Sequence, residues 1–167
     1  MNSGLVLISR TEDLAAVRRL GVACGLEDAG RGDEQIEAAW GARDGETLVG
    51  AIVLERNKRL ETVNWMAVDG DYRRRGIASL LYAALEREAL ARGIARLWVT
   101  ARNPAFFLAQ GYEAVAEGEE RGILMGECPN CAQFGRACEP QALTKAIDDG
   151  GPLDRPSSEG ETWDDRD

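Results

Sequence analysis

Residues 65–81 read Trp-Met-Ala-Val-Asp-Gly-Asp-Tyr-Arg-Arg-Arg-Gly-Ile-Ala-Ser-Leu-Leu, and this stretch is the most informative about the fold. It passes from an apolar strand, through a turn at residues 69–72, into a helix whose apolar residues recur at helical spacing. Gly76 and Ala78 are small, so an anion can come close to the backbone there. The free N–H groups of a helix start and the preceding arginines favour a phosphate ligand. A solvated basic helix start has the same composition, so the loop alone leaves both interpretations open.

The sequence around this loop predicts an alternation of strands and helices. A strand at Leu60–Val68 precedes the loop, and the helix that follows runs from Ile77 to Arg92 and stops at Gly93. Upstream we predict a strand at 5–8, a helix from a Thr11 cap to about Cys24, a short helix from Asp33 through Ala39, and a hairpin turned at Asp44-Gly45. Downstream we predict a strand at 95–100, a short helix from Pro104 to Gly111, and a strand at 112–116.

Composition and charge exclude several function classes. The chain has 167 residues, a formal net charge of −9 and no histidine. An acidic chain without a basic face argues against nucleic acid as a partner. The lack of histidine excludes Ser-His and Cys-His nucleophile pairs and any histidine metal site. The apolar runs are far shorter than the ~20 residues that cross a bilayer, and no secretory leader pattern is visible, so we expect a cytoplasmic protein without a membrane partner.

Two segments together resemble the GNAT superfamily of N-acetyltransferases. The run Arg73-Arg-Arg-Gly-Ile-Ala78 resembles its acetyl-CoA-binding pattern, Arg/Gln-x-x-Gly-x-Gly/Ala at a helix start. The run Asn103-Pro-Ala-Phe-Phe-Leu-Ala-Gln-Gly-Tyr112 resembles its second motif, Asn-x-x-Ala…Phe-Tyr-x-x-x-Gly-Phe. Both motifs occur in the family's order, and the resemblance covers roughly residues 5–125.

The resemblance implies an α/β fold with a mixed, mostly antiparallel, splayed sheet of about seven strands and about four flanking helices. Acetyl-CoA would enter as co-substrate where the strand ending at Val68 and the strand beginning near Ala95 diverge. The implied cofactor-binding residues are Met66, Ala67 and Val68 along the pantetheine arm, Arg73, Arg74, Arg75, Gly76, Ile77, Ala78 and Ser79 at the pyrophosphate, and Asn103 and Phe106 beside the arm and thiol.

The catalytic positions depart from the family pattern. Members of the family commonly use a carboxylate base, often through water, and a tyrosine acid. Here the tyrosine position is Phe107 and the glutamate position on the strand is Thr62. Three accounts stay open: water or another residue supplies the acid and base, Tyr72 or Tyr82 substitutes, or the chain binds acyl-CoA without turnover.

The acceptor side is assigned from strand alternation. Regular alternation would place Thr62 and Asn64 on the sheet face shared with Met66, with Glu61 on the opposite face. We therefore take Thr62 and Asn64 as the candidate catalytic and acceptor-side residues. The expected reaction is acetyl transfer from acetyl-CoA to the primary amine of a small, amino-acid-like acceptor. The alternative is a non-catalytic acyl-CoA- or metal-binding regulatory module, and a homodimer is left open.

Three cysteines follow the acetyltransferase-like segment. Cys128 and Cys131 have the Cys-x-x-Cys spacing that lets two thiolates hold one zinc ion, and Cys138 is a candidate third ligand. Reduced structural or redox-active thiols are the alternative. The segment also resembles the tail of some short acetyltransferases related to N-acetylglutamate synthases. We expect an acetyl-CoA-binding domain at 1–126, a cysteine-containing appendage at 127–147 and an acidic, disordered tail at 148–167.

Overall fold

A computed structural model describes residues 5–26, 33–126 and 140–147. Within these ranges the strands are β1 (Val6–Arg10), β2 (Ile36–Asp44), β3 (Thr47–Asn57), β4 (Leu60–Val68), β5 (Arg96–Ala101), β6 (Glu113–Ala114) and β7 (Gln141–Ala146). The helices are α1 (Leu14–Ala23), α2 (Ile77–Ala91), α3 (Pro104–Ala109) and α4 (Glu119–Met125). Short 3₁₀ turns lie at Asp33–Gln35 and Gly70–Tyr72.

The described strands form one seven-stranded sheet in the order β1-β2-β3-β4-β5-β7-β6. All neighbours in this sheet are antiparallel except β4 and β5, which are parallel. The parallel pair is joined only at Thr62↔Trp98 and Val63↔Val99, after which the two strands separate. The predicted mixed, mostly antiparallel and splayed sheet with four helices is thus confirmed.

Each face of the sheet buries its own apolar cluster. The larger cluster packs under α2 and contains Ile52, Leu54, Val63, Leu81 and Leu85. The smaller one packs under α1 and consists of Val17, Ala39, Ala51, Val53 and Trp65. We call the two sides of the sheet the α2 face and the α1 face. Burial of apolar surface on both sides stabilises the central strands β3 and β4.

A β-bulge interrupts β4 where it leaves β5. Val53 pairs with Asn64 and Ala51 pairs with Ala67, so Trp65 and Met66 together lie opposite Ile52. Trp65 has a φ of 47°, which is rare for a bulky residue. Its ring fills the space beside Gly21 of α1, where an added Cβ would come within 2.3 Å of the ring. The bulge is therefore fixed by packing against α1.

Two expectations about local structure need correction. The short helix predicted from Asp33 through Ala39 is instead a 3₁₀ turn followed by β2. Because β2 is buried on both faces, its apolar run lacks the alternation that would have identified a strand. Asp13, not Thr11, caps α1, since its Oδ1 accepts from the Ala16 N–H at 3.1 Å.

The sheet also extends past the boundary predicted at residue 126. Strand β7 lies between β5 and β6 and pairs with β5 from Gln141 to Ala146. Its residues Ala142 and Leu143 are buried. Residues 141–146 therefore belong to the sheet and not to an appendage.

Candidate functional site

The separation of β4 and β5 opens a cavity of about 540 Å³ at their carboxyl ends. Every residue predicted to bind the cofactor lines this cavity except Arg75. Four residues that sequence reasoning did not assign to cofactor binding line it as well: Cys24, Leu26, Tyr72 and Arg102. The cavity joins segments that are distant in sequence, namely the end of α1, the end of β4, the loop before α2, and the start of α3.

The loop before α2 and the first residues of α2 line the cavity. Asp69 Oδ1 accepts from the Asp71 N–H at 2.8 Å and fixes the turn. Arg74 and Gly76 both adopt left-handed conformations, with φ of 65° and 80°. Gly76 is the N-cap of α2 and makes no side-chain capping hydrogen bond. Uncapped N–H groups at a helix start, preceded by left-handed residues, form a concave site for an anion.

The three arginines of the loop occupy different positions. Arg73 Nε donates to the Val68 carbonyl oxygen at 3.1 Å. Arg75 donates to the Asp71 carbonyl oxygen at 3.2 Å, and its guanidinium lies 4.7 Å from the centre of the Tyr72 ring. Arg74 lines the cavity. Arg73 and Arg74 thus line the cavity, whereas Arg75 contacts Tyr72 and Asp71 and does not line it. Binding of one ligand by all three arginines stays a prediction.

Neither alternative tyrosine offers a free hydroxyl to the cavity. Tyr72 lines it, but its hydroxyl donates to Asp44 Oδ2 at 2.5 Å, and this hydrogen bond raises the pKa of Tyr72. Tyr82 is buried, and its hydroxyl is 2.9 Å from that of Tyr112. Burial raises the pKa of both tyrosines of this pair. Phe107 packs edge-on against Tyr82 and Tyr112 and does not line the cavity.

Two of the four cavity residues that sequence reasoning missed, Cys24 and Leu26, lie directly after α1. Cys24 Sγ lies 3.6 Å from the Val68 carbonyl oxygen, the same oxygen that Arg73 approaches. Arg102 donates to the Gly25 carbonyl oxygen at 2.5 Å and so ties the end of α1 to the end of β5. No local pattern marks Cys24 for this position. Arg102 directly precedes the Asn103 motif, so its position in the sequence could have identified it as a cavity residue.

The candidate acceptor-side residues lie on the α1 face. Thr62 is buried, and its Oγ1 donates to the Glu55 carbonyl oxygen at 2.8 Å. Asn64 Nδ2 donates to the Glu55 carboxylate. Asn64 does not share a face with Met66, because the bulge at Trp65 reverses the alternation that the prediction assumed. Met66 packs with the α2-face cluster, whereas Trp65 packs with the α1-face cluster.

Glu61 lies on the opposite face from Thr62, as predicted from strand alternation. Its Oε2 is 2.6 Å from Arg56 Nη2, and burial together with the nearby Glu37 raises its pKa. Its Oε1 is buried without a hydrogen-bond partner in the described part of the chain. Glu61 therefore belongs to a charged cluster away from the cavity.

The zinc prediction at Cys128, Cys131 and Cys138 falls outside the described residues. Among residues 5–26, 33–126 and 140–147 no cluster of three potential metal ligands is found. In the same ranges no helix has the length and apolar character of a membrane span.

Comparison with known proteins identifies the fold. Residues 35–114 match the family model of the acetyltransferase (GNAT) domain. A GNAT-family acetyltransferase from Staphylococcus aureus Mu50 superposes with a TM-score of 0.64 at 12% identity, covering 86% of this chain and 99% of that chain. The ribosomal-protein-S18-alanine N-acetyltransferase from Escherichia coli gives 0.63 at 18% identity, covering 86% and 94%. The search of curated proteins found no match.

A third solved structure carries ligands. N-acetylglutamate synthase from Neisseria gonorrhoeae, complexed with coenzyme A and N-acetyl-glutamate, gives a TM-score of 0.62 at 16% identity, covering 87% of this chain and 36% of that chain. At these identities the likeness establishes the fold. The described sheet and helices thus have the GNAT fold, and residues 35–114 match its acetyltransferase domain.

Proposed function

We propose that this chain is an acetyl-CoA-dependent N-acetyltransferase that acetylates the primary amine of a small, amino-acid-like acceptor. The observation that carries the proposal is the cavity, where an uncapped helix start and an arginine adjoin two separating strands. A ligand with a phosphate end and a narrow, amide-containing arm fits that combination. Coenzyme A has both parts, and the Neisseria gonorrhoeae relative is complexed with it.

The donor would be held mainly by the loop and by β4. The N–H groups from Gly76 to Ser79 and the guanidinium of Arg74 would bind the pyrophosphate. The Val68 carbonyl oxygen accepts from Arg73 and Cys24 in this structure, so both of its lone-pair positions are engaged. On donor binding, Arg73 would turn toward the phosphates and leave this carbonyl to an amide N–H of the pantetheine arm.

The transfer step needs a neutral amine and a proton for the leaving group. The amine nitrogen attacks the thioester carbonyl carbon, the C–N bond forms and the C–S bond breaks. The attacking nitrogen loses one proton, and the thiolate of coenzyme A takes up one proton. Phe107 has no hydroxyl, the Tyr82 hydroxyl is buried against that of Tyr112, and the Tyr72 hydroxyl donates to Asp44. Water is therefore the proposed proton carrier. Orientation of the reactants then supplies most of the acceleration. Thr62 and Asn64, the residues predicted on the acceptor side, do not line the cavity, and both donate hydrogen bonds to Glu55.

Donor binding can be tested by thermal unfolding. A ligand at about one hundred times its Kd adds about 2.7 kcal/mol of stability, which raises the Tm of a domain of this size by roughly 5–10 °C. We expect this increase with acetyl-CoA and none with free acetate at the same concentration. An equal response to both compounds would contradict the proposed donor site.

Turnover is tested separately, by release of free thiol from acetyl-CoA with a panel of amines. Amino acids, polyamines and a peptide N-terminus cover the main acceptor classes. Thiol release with one class of amine identifies the acceptor. Absence of thiol release with every amine would refute the proposal that the chain is an enzyme. Donor binding without release would favour the alternative, a non-catalytic acyl-CoA-binding module, for which the burial of Phe107 at the tyrosine position is the supporting observation.

A further inference from the structure

We propose that Glu55 and Asn64 form a positioning pair that holds the β4 bulge in the shape required for donor binding. This inference rests on the proposed function, because it concerns how the donor cleft is kept open. Glu55 lies on β3 and Asn64 on the adjacent β4, both on the α1 face. Glu55 is 2% exposed and Asn64 is half-buried. Neither side chain lines the cavity, so the pair would act through the backbone of β4.

A continuous set of hydrogen bonds leads from Glu55 to the bulge. Asn64 Oδ1 accepts from the Trp65 N–H at 2.9 Å. Since the oxygen of the amide is assigned to this N–H, its NH₂ group must face the Glu55 carboxylate, and it donates there. The Thr62 hydroxyl binds the Glu55 backbone at 2.8 Å and joins the same two strands one position earlier on that face.

The bulge needs such support because Trp65 has a φ of 47°. At this residue β4 has left the ladder with β5, whose last pair is Val63↔Val99. The Asn64 side chain supplies the acceptor that a ladder partner would otherwise supply to the Trp65 N–H. Without that acceptor, a regular strand is the favoured alternative for β4.

A regular strand would change the cavity wall. Removal of the bulge shifts the alternation by one residue, so that Met66 and Val68 would exchange faces with Ala67. The backbone groups that now border the cavity would then move away from it. Donor affinity should therefore depend on an amide–carboxylate pair that does not touch the donor.

Exchange of donor and acceptor within the pair tests the inference directly. Asn64→Asp keeps an oxygen for the Trp65 N–H but places two carboxylates against each other, and we expect coenzyme A to bind about tenfold more weakly or worse. The double variant Asn64→Asp/Glu55→Gln restores one amide and one carboxylate in reversed positions. We expect its affinity to return to within about threefold of the wild type.

A matched control and a second measurement accompany these variants. Asn57→Asp makes the same chemical change at the β3–β4 turn and should leave the affinity unchanged. Hydrogen exchange of the Trp65 amide should be slow in the wild type and in the double variant, but fast in Asn64→Leu, which lacks the acceptor. This readout does not require a ligand, so it tests the pair even if the wild type fails to bind coenzyme A and the proposed function is wrong.

The outcomes that overturn the inference are specific. One is a folded Asn64→Asp variant that binds coenzyme A with wild-type affinity. Another is a double variant that binds coenzyme A as weakly as Asn64→Asp does. A third is slow exchange of the Trp65 amide in Asn64→Leu. Thermal unfolding of each variant without ligand separates these results from a general loss of structure.

Discussion

Arg74 and Trp65 both adopt a positive φ near the cavity, yet they are held there in different ways. Arg74 is exposed and lies in a short turn, next to a fixed Asp69 side chain and before Gly76. Trp65 is buried and is fixed by partners from two other elements, Gly21 of α1 and Asn64 with its contact to Glu55. The loop is thus a local structure, whereas the bulge is a tertiary one, and mutations should affect them differently.

The largest expected effect belongs to the loop. Gly76→Val forces a β-branched residue to a φ of 80° at the helix start, and we expect at least about a hundredfold loss of coenzyme A affinity. Gly93→Val is the matched control, because Gly93 also has a φ of 80° and has open space around it at the other end of α2. Both variants should lose similar stability, measured by urea unfolding, but Gly93→Val should keep its affinity. Equal affinity losses in the two variants would mean that the loop contributes only to stability.

The second prediction concerns the packing that fixes the bulge. Gly21→Ala brings a Cβ to within 2.3 Å of the Trp65 ring, so the free energy of unfolding should fall by about 1–3 kcal/mol. Gly122→Ala, in helix α4, meets nothing within 4 Å and should be neutral or stabilising. Urea denaturation of both variants measures the difference. A Gly21→Ala protein with the same free energy of unfolding as the wild type would show that α1 does not constrain the bulge.

The third prediction separates the arginines within the loop. Arg74→Ala should weaken coenzyme A binding by about tenfold, because charge-assisted hydrogen bonds to phosphate are lost. Arg75→Ala should have a smaller effect, since Arg75 stacks on Tyr72 and bonds to Asp71. Calorimetric titration of both variants checks the order. If Arg75→Ala is the more damaging change, the loop is held mainly by that stacking.

The smallest expected effect concerns the tyrosine position of the family. Phe107→Tyr adds a hydroxyl inside the aromatic cluster of Tyr82 and Tyr112 and not in the cavity, so kcat should change less than about twofold. Phe106→Tyr is the comparison variant, because Phe106 lines the cavity and the same hydroxyl is added there. Steady-state kinetics with the acceptor that gives turnover compares them. A large increase of kcat in Phe107→Tyr would show that this side chain reaches the reacting atoms.

The same contrast explains what the sequence could predict. The loop and both motifs are contiguous in sequence, so cofactor-binding residues could be assigned from them in advance. Of the residues so assigned, all but Arg75 line the cavity. The bulge could not be predicted, because a φ of 47° at Trp65 depends on Gly21 and Glu55, which are remote in sequence. That one omission placed Asn64 on the wrong face relative to Met66. The prediction of a short helix at Asp33 was wrong for a related reason. Because β2 is buried on both faces, its sequence lacks the apolar–polar alternation that identifies a strand.

Strand β7 carries a consequence for how the protein is made. Strand β6 pairs only with β7 in the described chain, and β5 has just two paired residues with β4 apart from its ladder with β7. Both strands therefore remain without their main partner until the ribosome has synthesised residues 141–146. Among the described strands β7 is synthesised last, and closing so long a loop is a slow step in folding. During translation the nascent chain would expose the apolar edge of β5, so chains arrested before residue 141 are expected to be substrates for chaperones or proteases.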